Sequence, residues 1–164
     1  MSTEYAYLPD GYHSVTPYLI VRGGPKAIEF YQTAFGAVEI LRIPGPNDSI
    51  GHAEIQIGNS RIMLGDEMPA MNINSPETVG GTATGICLYV EDSDSMFQRA
   101  IDAGGKVVRP MADQFYGDRS GTLLDPFGHL WTIATRKENL SAEEISKRAA
   151  AFGKQCSDSN APTT

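Results

Sequence analysis

The segment GHAEIQI (51–57) sets His52, Glu54 and Gln56 at alternate positions between Ala53, Ile55 and Ile57. Alternate side chains of an extended strand share one face, so an imidazole, a carboxylate and an amide stand together with the apolar trio turned the other way. A His and a Glu at this spacing supply two ligands for a divalent ion, and the fold must bring a third from elsewhere. Without a metal, the same groups line a pocket or face water. Other reactive side chains are sparse: the histidines are His13, His52 and His129, and the cysteines are Cys87 and Cys156. His129 directly follows the glycine of a Pro-Phe-Gly corner, which suits a turn-stabilising role. Cys87 has no histidine fixed near it by the sequence, so a thiolate nucleophile lacks an evident base. In DQFYGDRSG (113–121), Tyr116, Asp118 and Arg119 sit where a loop could close over a ligand, although Asp118 and Arg119 also read as a surface pair of little energetic weight. A Ser-His-Asp arrangement, a phosphate loop and a dinucleotide fingerprint are all absent.

The elements that position these residues come from one domain's worth of chain. With 164 residues, 41% hydrophobic and 20% charged, the composition is that of a soluble globule, and no apolar run approaches the roughly 20 residues needed to cross a bilayer. The N-terminus lacks the basic start and apolar run of a signal peptide, so a cytoplasmic location is expected. The two cysteines lie too far apart for a disulfide framework or a CxxC pair. A net charge of −7 argues against nucleic-acid binding, which needs clustered Lys and Arg, and favours neutral or cationic small ligands.

Sliding the chain by 69 residues superposes it on itself. PYLIV (17–21) falls on ICLYV (86–90), two short β-branched runs, and PKAIEFYQTAFG (25–36) falls on DSMFQRAIDAGG (94–105), two helical patterns ending in Gly. Pro25 and Gly36 take the start and stop positions of the first helix, and Asp92 or Ser93 caps the second. Three strands follow each helix, near 37–44, 50–58 and 60–66, then near 106–113, 119–125 and 129–135. The organisation expected is a first βαβββ unit at 14–67, a linker at 68–83, a second unit at 84–136, a C-terminal helix at 137–154 with Ser141 and Glu144 as its capping box, and a disordered tail at 155–164. Two such sheets, side by side with their helices outside, would enclose a cleft between the repeats.

The segment AIEFYQTAFGAVE, the turn DPFGHLW and the βαβββ duplication resemble the vicinal oxygen chelate superfamily of glyoxalases, bleomycin and fosfomycin resistance proteins and dioxygenases. GHAEIQIGNSRIMLGDE and YGDRSGTLLDPFGHLWTIATR place the likeness in its PhnB-like branch, over about 14–136. The resemblance implies an α+β fold in which tandem βαβββ repeats form a curled mixed sheet around a cleft, and a homodimer. Enzymatic members hold one divalent ion with His and Glu from the first and last strands of each unit. Those positions fall here on Thr16, Met63, Gly85 and Thr132, none of them a plausible ligand for such an ion. The implied function is metal-free binding of a small organic molecule in the cleft, for sequestration or sensing, with no cofactor. The alternative is a metal-dependent lyase, isomerase or dioxygenase using one divalent ion on His52 and Glu54. Expected cleft residues are Thr16, Tyr18, His52, Glu54, Gln56, Met63, Gly85, Cys87, Tyr89, Tyr116, Asp118, Arg119 and Thr132; no catalytic residue is assigned.

Overall fold

Pro25 and Gly36 do bracket a helix. In the computed structural model, which describes residues 6–159 and side chains through Phe152, α1 (Gly24–Phe35) ends where Gly36 turns left-handed at φ 67°. The Gly36 N–H donates to Gln32 O and the Ala37 N–H to Tyr31 O, which satisfies two carbonyls that the last turn would otherwise orphan. The first turn has no side-chain cap of its own. Its place is taken by Asp66, whose carboxylate accepts from the N–H of Gly23 (2.7 Å), Gly24 (2.9 Å) and Ile50 (2.7 Å).

The first unit comprises β1 (Tyr18–Val21), α1, β2 (Val38–Pro44), β3 (Ile50–Ile57) and β4 (Ser60–Asp66). A linker carrying the short α2 (Pro76–Val79) leads to β5 (Gly85–Tyr89), α3 (Ser93–Asp102), β6 (Lys106–Asp113), β7 (Asp118–Leu124) and β8 (Leu130–Arg136). Asp92 caps α3 by accepting from Ser95 N–H at 3.0 Å. The sheets run β1-β4-β3-β2 and β5-β8-β7-β6, each with its outer pair, β1–β4 or β5–β8, parallel and the rest antiparallel. The duplication holds at the level of register: Tyr18 pairs with Met63, and Cys87, 69 residues on, pairs with Thr132. No helix among the described residues is long and apolar enough to cross a membrane.

The α+β class and the tandem βαβββ order are as the sequence indicates, but the packing is turned inside out. The sheets remain two separate four-stranded sheets, and α1 and α3 lie against one another between them rather than outside. One hydrophobic cluster draws on both units, from Val21, Ile28 and Leu64 to Phe97, Leu123 and Ile133. The reason is the aromatic face of α1. Phe35 lies 4.6 Å and Tyr31 5.6 Å from the fully buried Trp131 ring of β8, and Phe30 packs edge-on to Phe127 at 6.2 Å. Placing the apolar faces back to back removes far more hydrocarbon from water than closing the polar His52–Glu54 face would.

Asp125, in the β7–β8 turn, fastens this core. Its carboxylate accepts from the Tyr31 hydroxyl (2.8 Å), Trp131 Nε1–H (2.9 Å), and the N–H groups of Phe127 (2.9 Å) and His129 (2.8 Å). His129 Nε2 lies 3.1 Å from Ile20 O, a contact between units in keeping with its turn-stabilising reading.

The linker is held by Glu67, which accepts from Thr78 Oγ1 (2.6 Å), Ser75 Oγ (2.8 Å), Ser75 N–H (3.0 Å) and Arg22 Nε (2.9 Å). At the C-terminus, Ser141 Oγ accepts from Glu144 N–H at 3.2 Å and opens α4 (Ala142–Ser159). This helix runs past residue 154, where the sequence reading began the tail, and 160–164 lie outside the described residues. Little of α4 touches the two units: Phe152 stacks 5.4 Å from Phe115, and Arg148 pairs with Glu138 at 2.8 Å.

Two outcomes are expected. Tyr31→Phe removes one donor from a buried carboxylate and should cost about 1.5–3 kcal/mol in urea unfolding with an unchanged m-value. The hydrogen bonds from Thr78 and Ser75, aided by Arg22, hold the Glu67 carboxyl down at about 2 against an ordinary 4.5. A depressed folded-state value contributes stability that is complete above the unfolded value and lost as pH falls toward the folded one. Thermal melting points should therefore fall more steeply between pH 4.5 and 2 for the native chain than for Glu67→Gln.

Candidate functional site

The outward faces of the two sheets carry the polar residues. In unit one, Ala53, Ile55 and Ile57 are buried against α1, so His52, Glu54 and Gln56 stand on the outer face as their alternation indicates. His52 is bracketed: Nδ1 lies 3.0 Å from the Tyr18 hydroxyl, and Nε2 lies 3.5 Å from Glu54 Oε1. Met63 pairs with both Tyr18 and Glu54 in register and is half-buried between them. Gln56 turns to the hairpin, donating to Gly58 O at 3.1 Å. Thr16, just ahead of β1, donates to His13 O at 3.3 Å.

Two residues of this face lie outside the set read from the sequence. Arg61 stands on β4 two positions before Met63 and shares its face, and the Tyr12 ring covers it with 5.9 Å between ring centroid and Cζ. Burial, and then the nearby Glu54 carboxylate, push the Tyr12 phenol up to about 12. Strand parity with Met63 was the signal for Arg61. Nothing local marks Tyr12, which reaches the site from irregular chain.

In unit two the outer face carries Gly85, Cys87 and Tyr89 from β5, Asp118, Ser120 and Thr122 from β7, and Thr132 from β8. The Tyr89 hydroxyl donates to Asp118 Oδ2 at 2.6 Å, and this bond, with burial second, raises the phenol to about 12. The hydroxyls of Thr122 and Thr132 lie 3.0 Å apart, and those of Tyr116 and Ser120 3.3 Å. Burial, and secondarily the Asp118 charge, push the Cys87 thiol up.

Arg119 does not join Asp118. Its neighbours in sequence point to opposite faces, and its guanidinium is on the α3 side, held by Asp94 (2.6 Å) and Asp113 (3.2 Å). Asp118 is 7% exposed and so is no surface pair. The two outer faces do not meet either: among the described residues, no side-chain hydrogen bond or ion pair joins the His52 cluster to the Tyr89–Asp118 cluster. Between the starts of β1 and β5 lies a cavity of about 570 Å³, walled by Val15, Leu19, Val79, Ile86 and His129.

The four positions on which the resemblance places metal ligands, Thr16, Met63, Gly85 and Thr132, hold two hydroxyls already engaged, one thioether and one glycine. This donor set does not fit a divalent ion. Among the described residues, no three His, Cys, Asp or Glu side chains are grouped so that they could hold one.

The sequence and the fold both have known relatives. The family model described as the Glyoxalase/Bleomycin resistance protein/Dioxygenase superfamily matches residues 11–133. Protein Rv0887c of Mycobacterium tuberculosis is 39% identical over 143 residues, covering 85% of this chain and 84% of that protein. The crystal structure of PA1353 from Pseudomonas aeruginosa is similar at a TM-score of 0.62 and 25% identity, covering 77% of this chain and 99% of that one. A PhnB protein from Bacillus cereus, a putative 3-demethylubiquinone-9 3-methyltransferase by its description, is similar at a TM-score of 0.59 and 17% identity, over 75% of this chain and 99% of that one.

The raised Cys87 thiol makes a kinetic prediction. In a Cys156→Ser background, iodoacetamide should label Cys87 at pH 8 more slowly than a free cysteine, and Asp118→Asn should speed the reaction by removing one of the two causes of the shift.

Proposed function

The chain belongs to the glyoxalase/bleomycin resistance protein/dioxygenase superfamily, and from that premise we propose that it binds a small organic molecule without a metal, sequestering or sensing it in the cytoplasm. The observation that carries this reading is the donor set at Thr16, Met63, Gly85 and Thr132. Lewis-acid chemistry needs charged or imidazole ligands, and these side chains offer neither. What the outer faces do offer is aromatic surface beside hydrogen-bonding groups: Tyr18 is 46% and Tyr89 60% exposed, next to His52 and Asp118. Such a surface recognises by shape and directed hydrogen bonds.

The same geometry supports a homodimer. With the helices inside, each face is open, and a hollow walled by both must bring unit one of one copy over unit two of another. Val38, Ile40, Leu41 and Ile43 of β2 and Val107 and Val108 of β6 are exposed on edge strands, an apolar surface suited to burial by a second copy. A second reading, a metal-dependent lyase, isomerase or dioxygenase, is favoured by one distance, the 3.5 Å between His52 Nε2 and Glu54 Oε1.

Metal content and thermal stability separate the two readings. Protein purified without chelator should sediment as a dimer, carry less than stoichiometric divalent metal, and gain the same melting-point increase from a binding compound with or without EDTA. A compound at 100 times its dissociation constant adds about 2.7 kcal/mol. A stoichiometric ion that disappears in His52→Ala would reverse the ranking.

A further inference from the structure

Among the described residues, the buried side-chain nitrogen and oxygen atoms without a hydrogen-bond partner are the Tyr12 hydroxyl and the Nε and Nη1 of Arg61. All lie in one place. The Arg61 Cζ is 5.9 Å from the Tyr12 ring centroid, and a Cβ on Gly11 would come within 3.3 Å of Arg61 Nε. Gly11, at φ +79°, thus lets the chain close against the guanidinium where a side chain would crowd it. Buried donors left unpaired carry their full desolvation cost, and a guanidinium cannot relieve it by giving up its charge. Carboxylates are not scarce, since acidic residues outnumber basic ones 20 to 13. Arg22, Arg42, Arg119 and Arg148 each hold at least one. Arg61 holds none among the described residues, although it stands on the outer face beside the Tyr18–His52–Glu54 cluster.

The wall over Arg61 has no hydrogen-bonded tie to the sheet among the described residues. Residues 6–16 make only local hydrogen bonds among the described residues, Tyr12 N–H to Pro9 O and Thr16 Oγ1 to His13 O, so packing rather than hydrogen bonding holds this strap to the sheet.

Given that the hollow takes a small organic molecule, as proposed above, we infer that Arg61 and Tyr12 form a carboxylate-recognising end of it. A ligand carboxylate accepts hydrogen bonds from the guanidinium and from the Tyr12 hydroxyl as the strap lifts and resettles, while the uncharged body of the ligand lies over Tyr18 and Met63. A phenol raised to about 12 remains a donor through the physiological range. One guanidinium balances one negative charge, and Glu54, near enough to Tyr12 to raise its phenol, repels a dianionic phosphate about twice as strongly as a monoanionic carboxylate, which is therefore the better match. The net charge of −7 points to cationic or neutral ligands, but the nearest charges set the local field, and at this end of the face the Arg61 guanidinium supplies a positive charge beside the Glu54 carboxylate.

Nuclear magnetic resonance tests the assignment on the full chain. The Nε–H signal of Arg61, identified by its loss in Arg61→Lys, is followed during titration with benzoate and with benzamide, which has the same ring and no charge. The signal should move saturably with benzoate at an affinity about tenfold above that for benzamide, and Tyr12→Phe should weaken the benzoate response. A signal that stays still, or that moves equally with both compounds, overturns the assignment. Backbone amides of Tyr18, His52 and Thr132 report on the hollow separately. If both compounds shift these amides and leave Arg61 unmoved, the hollow stands and the carboxylate end falls; if neither shifts them, both readings fall. Arg61→Met should also raise the melting point of the ligand-free protein, since a buried unpaired charge is exchanged for an apolar side chain of similar length. A lower melting point would mark Arg61 as structural and overturn the proposal.

Discussion

Asp125 is 3% exposed, and its carboxylate accepts hydrogen bonds from a hydroxyl of the first unit and from an indole and two backbone N–H groups of the second. A bare carboxylate in such a place would be prohibitively costly, and the convergence of donors is what makes it tolerable. The consequence is geometric. Tyr31 can reach Asp125 only if α1 lies across the β7–β8 turn, and that position also sets Phe35 on Trp131 and Phe30 on Phe127. With those contacts made, the apolar sides of both sheets are consumed, and their polar sides must look outward.

This division of labour explains how one duplicated unit could diverge so far. Inner faces of both units remain aliphatic and aromatic, because each must fill the same shared core. Outer faces answer to no such constraint. At equivalent register, unit one has Tyr18 beside Met63 where unit two has Cys87 beside Thr132. Unit one then gathers His52, Glu54, Arg61 and Tyr12, whereas unit two gathers Tyr89, Asp118 and paired threonine hydroxyls. On the proposed function, a hollow combining one face of each kind would present an asymmetric surface that orients a ligand end to end.

Strand alternation, the 69-residue self-similarity and the Pro and Gly signals at the helix ends were legible because each is a local property: backbone geometry alone sets which side chains share a face. His52, Glu54 and Thr132 were placed on their faces by that means. Arg119 was drawn toward Asp118 by adjacency in sequence, yet neighbours on a strand point apart, and Asp94 on α3 claims its guanidinium. Tyr12 could not be found at all, since irregular chain has no period from which to read direction.

By itself, the sequence determined the elements, their order, their duplication and which residues share each face. Only the tertiary structure decided that the helices lie between the sheets, that the two polar faces point apart, and that Arg61 forms no ion pair among the described residues. Periodicity states that a face is apolar but not what will cover it. That choice belongs to the pairing that buries the most surface while leaving the fewest polar groups unsatisfied, and it is settled by contacts between residues distant in sequence, such as Tyr31 and Asp125.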